Sequence, residues 1–304
     1  MTLHIHTPLV ESRSFNLPSG HPVWLKLDAL QPPGSFKIRG VGHACETYRA
    51  RGARRFVSSS SGNAGLAVAY AGRKLGVPVT VVVPETATER AKALLKGEGA
   101  EVVVHGATWQ EANEKAQSLV GPTDALVHPF DDPLLWEGHA SMIDEVREAG
   151  AVPDAVVLSV GGGGLLCGVA EGLRRNGWND VPIFAVETEG MASYRTAIEA
   201  GRPVELSELT GIATSLGARR ISERAYQWSK ERPIRSLVVS DRSALLACER
   251  FLDDHRILVE PACGASLAVA YEHGAELDAF ERVLVIVCGG ATATIDQIRR
   301  WLAK

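Results

Sequence analysis

The chain has 304 residues, 45% of them hydrophobic and 22% charged, with 32 basic against 36 acidic side chains and a formal net charge of −4. That is ordinary material for a globular protein with a proper core, in two domains of about 150 residues each or in one large α/β unit. A balance this close excludes electrostatic capture by nucleic acid or by an anionic membrane, so the expected partner is a small molecule.

The first residues hold no basic segment followed by an apolar run, so no signal peptide is read there. No apolar stretch approaches the roughly 18 residues needed to span a bilayer, and the chain is expected in the cytoplasm. In chain order, the composition predicts a strand over 23–27, then strand 55–58 with helix 64–75, strand 79–83 with helix 88–96, and strand 102–104 with helix 109–119. A helix over 134–149 follows, then strand 156–160 with helix 165–175, strand 183–186, strand 237–239 with helix 243–253, and strand 283–287 with helix 295–302. Strands that are apolar throughout belong to parallel sheets covered by helices on both faces. Their alternation with helices gives the α/β class. Gln31-Pro32-Pro33-Gly34 and Pro129-Phe130-Asp131-Asp132-Pro133 interrupt the pattern. Residues 34–133 are therefore expected to form a small domain, and 1–33 with 134–304 a larger one. The five cysteines, Cys45, Cys167, Cys248, Cys263 and Cys288, are dispersed and never spaced as CxxC. This argues against zinc and a disulfide framework, and four of them are expected to be small buried apolar side chains.

Ligands of open α/β sheets bind outside the carboxyl ends of the strands. Four segments of unusual composition fall near such ends: 33–40 (PGSFKIRG), 58–65 (SSSSGNAG), 159–165 (SVGGGGL) and 287–290 (VCGG). In the third, four residues without side chains let N–H groups converge on an anion, and the helix N-terminus adds about half a positive charge. A phosphate is the expected guest, against the plainer reading of a tight strand-to-helix turn. A dinucleotide fits poorly, although Glu187 ends the next strand where a ribose-binding acid would stand. The fingerprint GxGxxG fails because Gly161 and Gly163 are followed by Leu166, and Gly162 and Gly164 by Cys167. In the second segment, hydroxyls and free amides at a helix N-terminus suit a carboxylate, where the plainer reading is helix capping. A lone lysine is ordinarily a solvated surface charge. Lys37, between Phe36 and Ile38 and with two anion loops expected nearby, is instead placed where a partly desolvated amine can condense with an aldehyde, as pyridoxal lysines do. Gly264-Ala265-Ser266-Leu267-Ala268 lacks the last glycine of a hydrolase elbow and reads as helix packing. The nine histidines show no metal-binding spacing; His128 and His139 are given no role, and Arg51, Arg54 and Arg55 read as a solvated face.

Gly34-Ser35-Phe36-Lys37-Ile38-Arg39-Gly40 resembles the cofactor-attachment motif of the pyridoxal-phosphate serine/threonine dehydratases, of the tryptophan-synthase-β fold type. Ser60-Ser61-Gly62-Asn63-Ala64-Gly65 resembles their carboxylate loop, and Gly161, Gly162, Gly163 and Gly164 with Leu165 their phosphate loop. The likeness runs from Thr7 to the C-terminus, takes in Pro129-Phe130-Asp131-Asp132-Pro133 and Leu258-Val259-Glu260-Pro261-Ala262-Cys263-Gly264-Ala265, and is nearest to the short liver-type serine dehydratases. It implies two open, twisted, mostly parallel sheets flanked by helices, with the active site in the interdomain cleft. It also implies β-elimination of L-serine or L-threonine to pyruvate or 2-oxobutyrate plus ammonia. A serine racemase, a cysteine-synthase-like β-replacement enzyme and an inactive cofactor-holding protein are the alternatives.

By the same resemblance, Lys37 would hold pyridoxal 5′-phosphate as a Schiff base and serve as general base. Phe36 would pack on one face of the ring and Ser215 on the other, where the short dehydratases carry alanine. Asn63 would bond the ring hydroxyl, Gly161 to Leu165 the phosphate, and Cys288 would face the ring nitrogen as a neutral thiol. Such a thiol favours expulsion of a β-substituent over transamination. The substrate carboxylate would fall to Ser60, Ser61, Gly62, Asn63 and Ala64. Ser61 departs from the short dehydratases, which usually have alanine, and is similar to the serine with which racemases of this fold exchange protons opposite the lysine. Glu187 resembles the family's cation-binding acid, with the carbonyls of Gly161, Met191, Leu216 and Ala218 around potassium or magnesium; an all-oxygen set suits a hard cation. A homodimer is expected, and no isoleucine-responsive regulatory domain after Lys304.

Overall fold

A computed structural model describes residues 2–15, 20–272 and 276–304. Strands β1 (Leu9–Ser12) and β2 (Val23–Lys26) precede helix α1 (Lys37–Ala50). Next come β3 (Arg55–Ser58), α2 (Asn63–Leu75), β4 (Val79–Val83), α3 (Glu89–Gly97), β5 (Glu101–Val104), α4 (Trp109–Ser118) and β6 (Asp124–Leu126). After α5 (Pro133–Glu148) the chain runs through β7 (Ala155–Ser159), α6 (Gly164–Arg175), β8 (Ile183–Thr188), α7 (Ser193–Ala200) and α8 (Glu223–Glu231). It ends with β9 (Ile234–Val239), α9 (Asp241–His255), α10 (Pro261–Glu272), β10 (Val283–Ile286) and α11 (Ile295–Leu302).

The strands make two sheets, ordered β1-β2-β10-β7-β8-β9 and β5-β4-β3-β6. Every pairing is parallel except β1 with β2. This is the helix-covered, mostly parallel α/β architecture expected from the sequence. Its physical signature is the complete burial of β4 (VTVVV), β7 (AVVLS) and β10 (VLVI), which are apolar on both faces because helices cover both. Phe184, Val157 and Val285 sit in the core of the larger sheet, and Ile38, Phe56 and Val81 in that of the smaller one.

Several elements had no counterpart in the sequence reading: β1, β6, α1, α7, α8 and α10. Helix α10 is buried from Pro261 to Tyr271, so it has no polar face to mark a helical period. Helix α1 is broken in composition by Gly40 and Gly42. The glycine at 40 is required by packing, since a Cβ there would collide with Leu135 O on α5, as one on Gly138 would with Arg39 O. The two helices cross at these glycines, backbone against backbone. All five cysteines are free and buried. The Ser266 hydroxyl donates to Cys263 O within α10, in keeping with a packing role. Arg51 and Arg54 are exposed as expected, but Arg55 leaves that face to donate to Leu119 O and Asp124. Among the described residues, no helix is long and apolar enough to cross a membrane.

Candidate active site

Lys37 is the first residue of α1, and the turn before it is stitched to the chain leaving β10. Phe36 N–H donates to Cys288 O (3.0 Å), Gly290 N–H to Gly34 O (2.8 Å) and Ala29 N–H to Val287 O (2.8 Å). The Lys37 amine donates to Pro129 O at 2.7 Å and lies 5.2 Å from the centre of the Phe36 ring. Burial brings its pKa down to about 8, against the opposing pull of Glu260. About a tenth of such an amine is neutral and nucleophilic at pH 7, some hundredfold more than for an ordinary lysine.

The glycine run leaves β7 and enters α6. Gly163, at φ +97, adopts a conformation that side chains resist, which a tight turn alone would explain. Gly162 goes further: a Cβ on it would strike the Phe130 ring, and one on Gly161 would press on Ser215 and Leu216. The loop is therefore walled by the 127–133 segment on one side and by the 214–216 turn on another. The N–H groups of the first turn of α6, Gly164 and Leu165 among them, have no intrahelical acceptors and sit at its positive pole. That donor set suits a phosphate.

The second loop leaves β3 and enters α2. Gly62 is the N-cap and offers no side chain to the helix, while Ser60 Oγ accepts the Gly62 N–H at 3.3 Å. Ser61 and Gly62 are half-buried, and Asn63 and Ala64 are buried. Asn63 reaches across to the larger sheet's side. Its Nδ2 donates to Glu260 (2.7 Å) and lies 3.4 Å from Ser215 Oγ, and its Oδ1 accepts Ala291 N–H (3.0 Å). Cys288 follows β10, and its thiol pKa is pushed far above normal by a hydrogen bond with Cys263, by burial and by Glu260. It is a neutral thiol.

The pyridoxal-type groups expected from the sequence can be tested against these contents. A desolvated amine for an aldehyde, an amide-rich glycine loop for a phosphate, and an uncharged thiol beside them all converge here. Ser35 Oγ and Ser58 Oγ, at the foot of two of these loops, are buried without a partner. The residues present fit pyridoxal phosphate.

Glu187 is fully buried, and its two oxygens accept the N–H groups of Tyr194 (2.7 Å) and Arg195 (2.8 Å) at the head of α7. Burial raises its pKa to about 7, against those two bonds. Gly161 lies against Leu216, and Met191 against Gly217, next to Ala218. Among the described residues, no group of three or more His, Cys, Asp or Glu side chains is placed to hold a metal.

Three residues escaped the sequence reading. Glu260 is buried and bonded to Asn63. His139, also buried, takes the Gly40 N–H on Nδ1 and packs against Phe36 with ring centres 4.9 Å apart. His128 accepts the N–H groups of Phe130 and Asp131 on Nδ1, and burial and Lys37 together hold its pKa at about 4. The one sequence signal among them is Glu260 itself, an acid inside the otherwise apolar run Leu258-Val259-Glu260-Pro261-Ala262.

Known proteins bear on this geometry. Residues 1–289 match the family model described as "Pyridoxal-phosphate dependent enzyme". The chain is 50% identical to a mouse protein named serine dehydratase-like, over 97% of this chain and 93% of that one. It is 47% identical to human L-serine dehydratase/L-threonine deaminase, over 98% and 94%. Its fold superposes on the crystal structure of a fungal L-serine ammonia-lyase from Rhizomucor miehei with a TM-score of 0.92 at 34% identity, covering 99% of both chains.

Proposed function

The chain belongs to the family of pyridoxal-phosphate dependent enzymes, and from that premise we propose that it converts L-serine to pyruvate and L-threonine to 2-oxobutyrate, each with release of ammonia. The observation that carries this reading is the buried Lys37 amine, with its pKa near 8, set among a phosphate-type glycine loop, Asn63 and the neutral Cys288 thiol. Near-full-length identity to serine and threonine dehydratases supports the choice of reaction.

Pyridoxal phosphate, when bound, supplies an aldehyde for amines and a conjugated ring that accepts electrons from the substrate α-carbon. The amides of Gly161 to Leu165, in the loop and the first turn of α6, would hold its phosphate, and Lys37 would anchor its aldehyde carbon. Phe36 and Ser215 would flank the ring, and Asn63 would bond the ring oxygen. The substrate carboxylate is held by the amides and hydroxyls of Ser60, Ser61, Gly62, Asn63 and Ala64, which fixes the α-hydrogen relative to Lys37. As a free amine, Lys37 Nζ would take the substrate α-proton as general base, for which a pKa near 8 is well matched. As a neutral thiol, Cys288 would not hold the ring nitrogen protonated, so electron density would stay available to expel the β-hydroxyl, which would leave as water with a proton from the cofactor phosphate. A carboxylate at that position would hold the ring protonated and favour transamination.

A potassium or magnesium ion beside Glu187, with the carbonyls of Gly161, Met191, Leu216 and Ala218, completes the reading, as do a homodimeric assembly and a cytoplasmic location. Residues 34–133 form its small domain. The test is to incubate purified protein with L-serine and quantify pyruvate, ammonia and both serine enantiomers, for wild type, Lys37→Ala and Ser61→Ala. Equimolar pyruvate and ammonia from wild type and none from Lys37→Ala are expected. D-serine formed by wild type and lost in Ser61→Ala would instead establish a proton-exchanging face opposite the lysine, and a racemase.

A further inference from the structure

Glu260 takes no part in the steps above, yet it occupies the centre of the site. It is 3% exposed, at the head of α10. Its Oε1 accepts from Asn63 Nδ2 at 2.7 Å and its Oε2 from Thr292 Oγ1 at 2.6 Å. Burial raises its pKa, against hydrogen bonds from Ser215, Thr292 and Asn63. Every one of these neighbours is a donor, which suits a carboxylate that only accepts. Gly290, at φ +132, makes room for it: a Cβ there would collide with the Glu260 carboxyl carbon.

An asparagine amide has two orientations of nearly equal shape, and its hydrogen bonds decide between them. Here Nδ2 faces Glu260 and Oδ1 faces the Ala291 N–H. Turned over, the oxygen would meet the carboxylate and the NH2 would meet the backbone N–H, replacing two attractions with two repulsions. The second N–H of Asn63 is only loosely engaged, since Ser215 Oγ lies at 3.4 Å.

We propose that Glu260 is a positioning residue that locks the Asn63 amide, so that Asn63 presents an N–H rather than a carbonyl to the oxygen of the cofactor ring. The inference rests on the place given to Asn63 in the proposed function. A glutamine at 260 can offer its own NH2 towards residue 63, which removes one of the two repulsions against the turned amide and leaves only the Ala291 N–H to oppose it.

The experiment follows the release of pyridoxal phosphate from purified holoenzymes during timed gel filtration, read by the absorbance of the retained cofactor, together with the thermal unfolding midpoint. Asn63→Ala and Glu260→Gln should each release cofactor about tenfold faster or more, the scale of a hydrogen bond to a charged group. The double variant should release it no faster than the worse single one. The reciprocal swap Asn63→Asp with Glu260→Gln rebuilds a bond between the two positions but leaves residue 63 without a donor. It should recover the unfolding midpoint while release stays fast, and it carries the test even where Glu260→Gln alone folds poorly. Wild-type release from Glu260→Gln beside fast release from Asn63→Ala would overturn the inference and leave the placement of Asn63 standing. Wild-type release from Asn63→Ala would overturn both. A swap that recovers stability and cofactor retention together would reduce Glu260 to packing and overturn the inference.

Discussion

At the scale of single residues, the environment of Lys37 turns an ordinary side chain into a reagent. Desolvation lowers its pKa from 10.5 to about 8, against the opposing field of Glu260. Only the neutral amine attacks an aldehyde, so cofactor-free protein should capture pyridoxal phosphate about tenfold faster per pH unit up to about 8 and level off above it, as followed by stopped-flow absorbance. A profile still rising at pH 10 would mean that the amine is not desolvated as described. Cys288 illustrates the opposite effect. Its neighbour Cys263, burial and Glu260 all disfavour a thiolate, so it is no nucleophile despite its place in the site.

At the scale of elements, the position of Lys37 is decided by how α1 lies on α5. Gly40 and Gly138 let the two backbones touch, and His139 of α5 both accepts the Gly40 N–H and packs on Phe36. Helix α5 in turn packs on α6, where a Cβ on Gly168 would collide with His139. The heads of α1 and α6, bearing Lys37 and the glycine loop, are thus held in register through α5. Gly40→Ala should separate α1 from α5 and cost about 1–3 kcal/mol, the usual penalty of overpacking. Thermal unfolding would show the loss, and borohydride reduction with peptide mapping should show less cofactor fixed at Lys37. A variant as stable as wild type would mean that α1 shifts freely at this crossing.

At the scale of the whole molecule, a buried charge cluster ties the pieces together. Arg39 of α1 bonds both Asp28 and Glu145, Lys26 of β2 bonds Glu145 and Thr7 O, and Thr7 Oγ1 bonds Asp28. Burial pushes the Glu145 carboxyl up, but Arg39 and Lys26 outweigh it and hold its pKa below the usual value. Glu145→Gln leaves Arg39 and Lys26 without that charge and should cost about 3–5 kcal/mol near neutral pH, by urea unfolding. A carboxyl depressed on folding stabilises above its unfolded pKa of about 4.3, and that contribution is lost as pH falls through the lower folded value. The gap between wild type and Glu145→Gln should therefore be full at pH 7 and shrink below pH ~4. A gap independent of pH would mean that the cluster acts through shape and not charge.

The α/β class and the approximate places of most strands and helices were legible from the sequence, because apolar β-branched runs and amphipathic stretches are local patterns. So were the four chemically unusual segments, since a glycine run, a serine-asparagine turn and a lysine between apolar neighbours are unusual wherever they fold. What local pattern could not contain was contact between distant parts. Strand β10, near the end of the chain, inserts between β2 and β7, and so carries Cys288 to the turn that bears Lys37. Helix α10 showed no helical period because it is buried on every side. Glu260 carried no role of its own in the sequence, where it stood only within the Leu258–Ala265 segment that resembles the dehydratases, and the fold sets it against Asn63, 197 residues away. Composition and local order determined the kinds of element and the chemistry available. Burial and long-range hydrogen bonding, which exist only once the chain has closed on itself, decided which groups meet and in what protonation state.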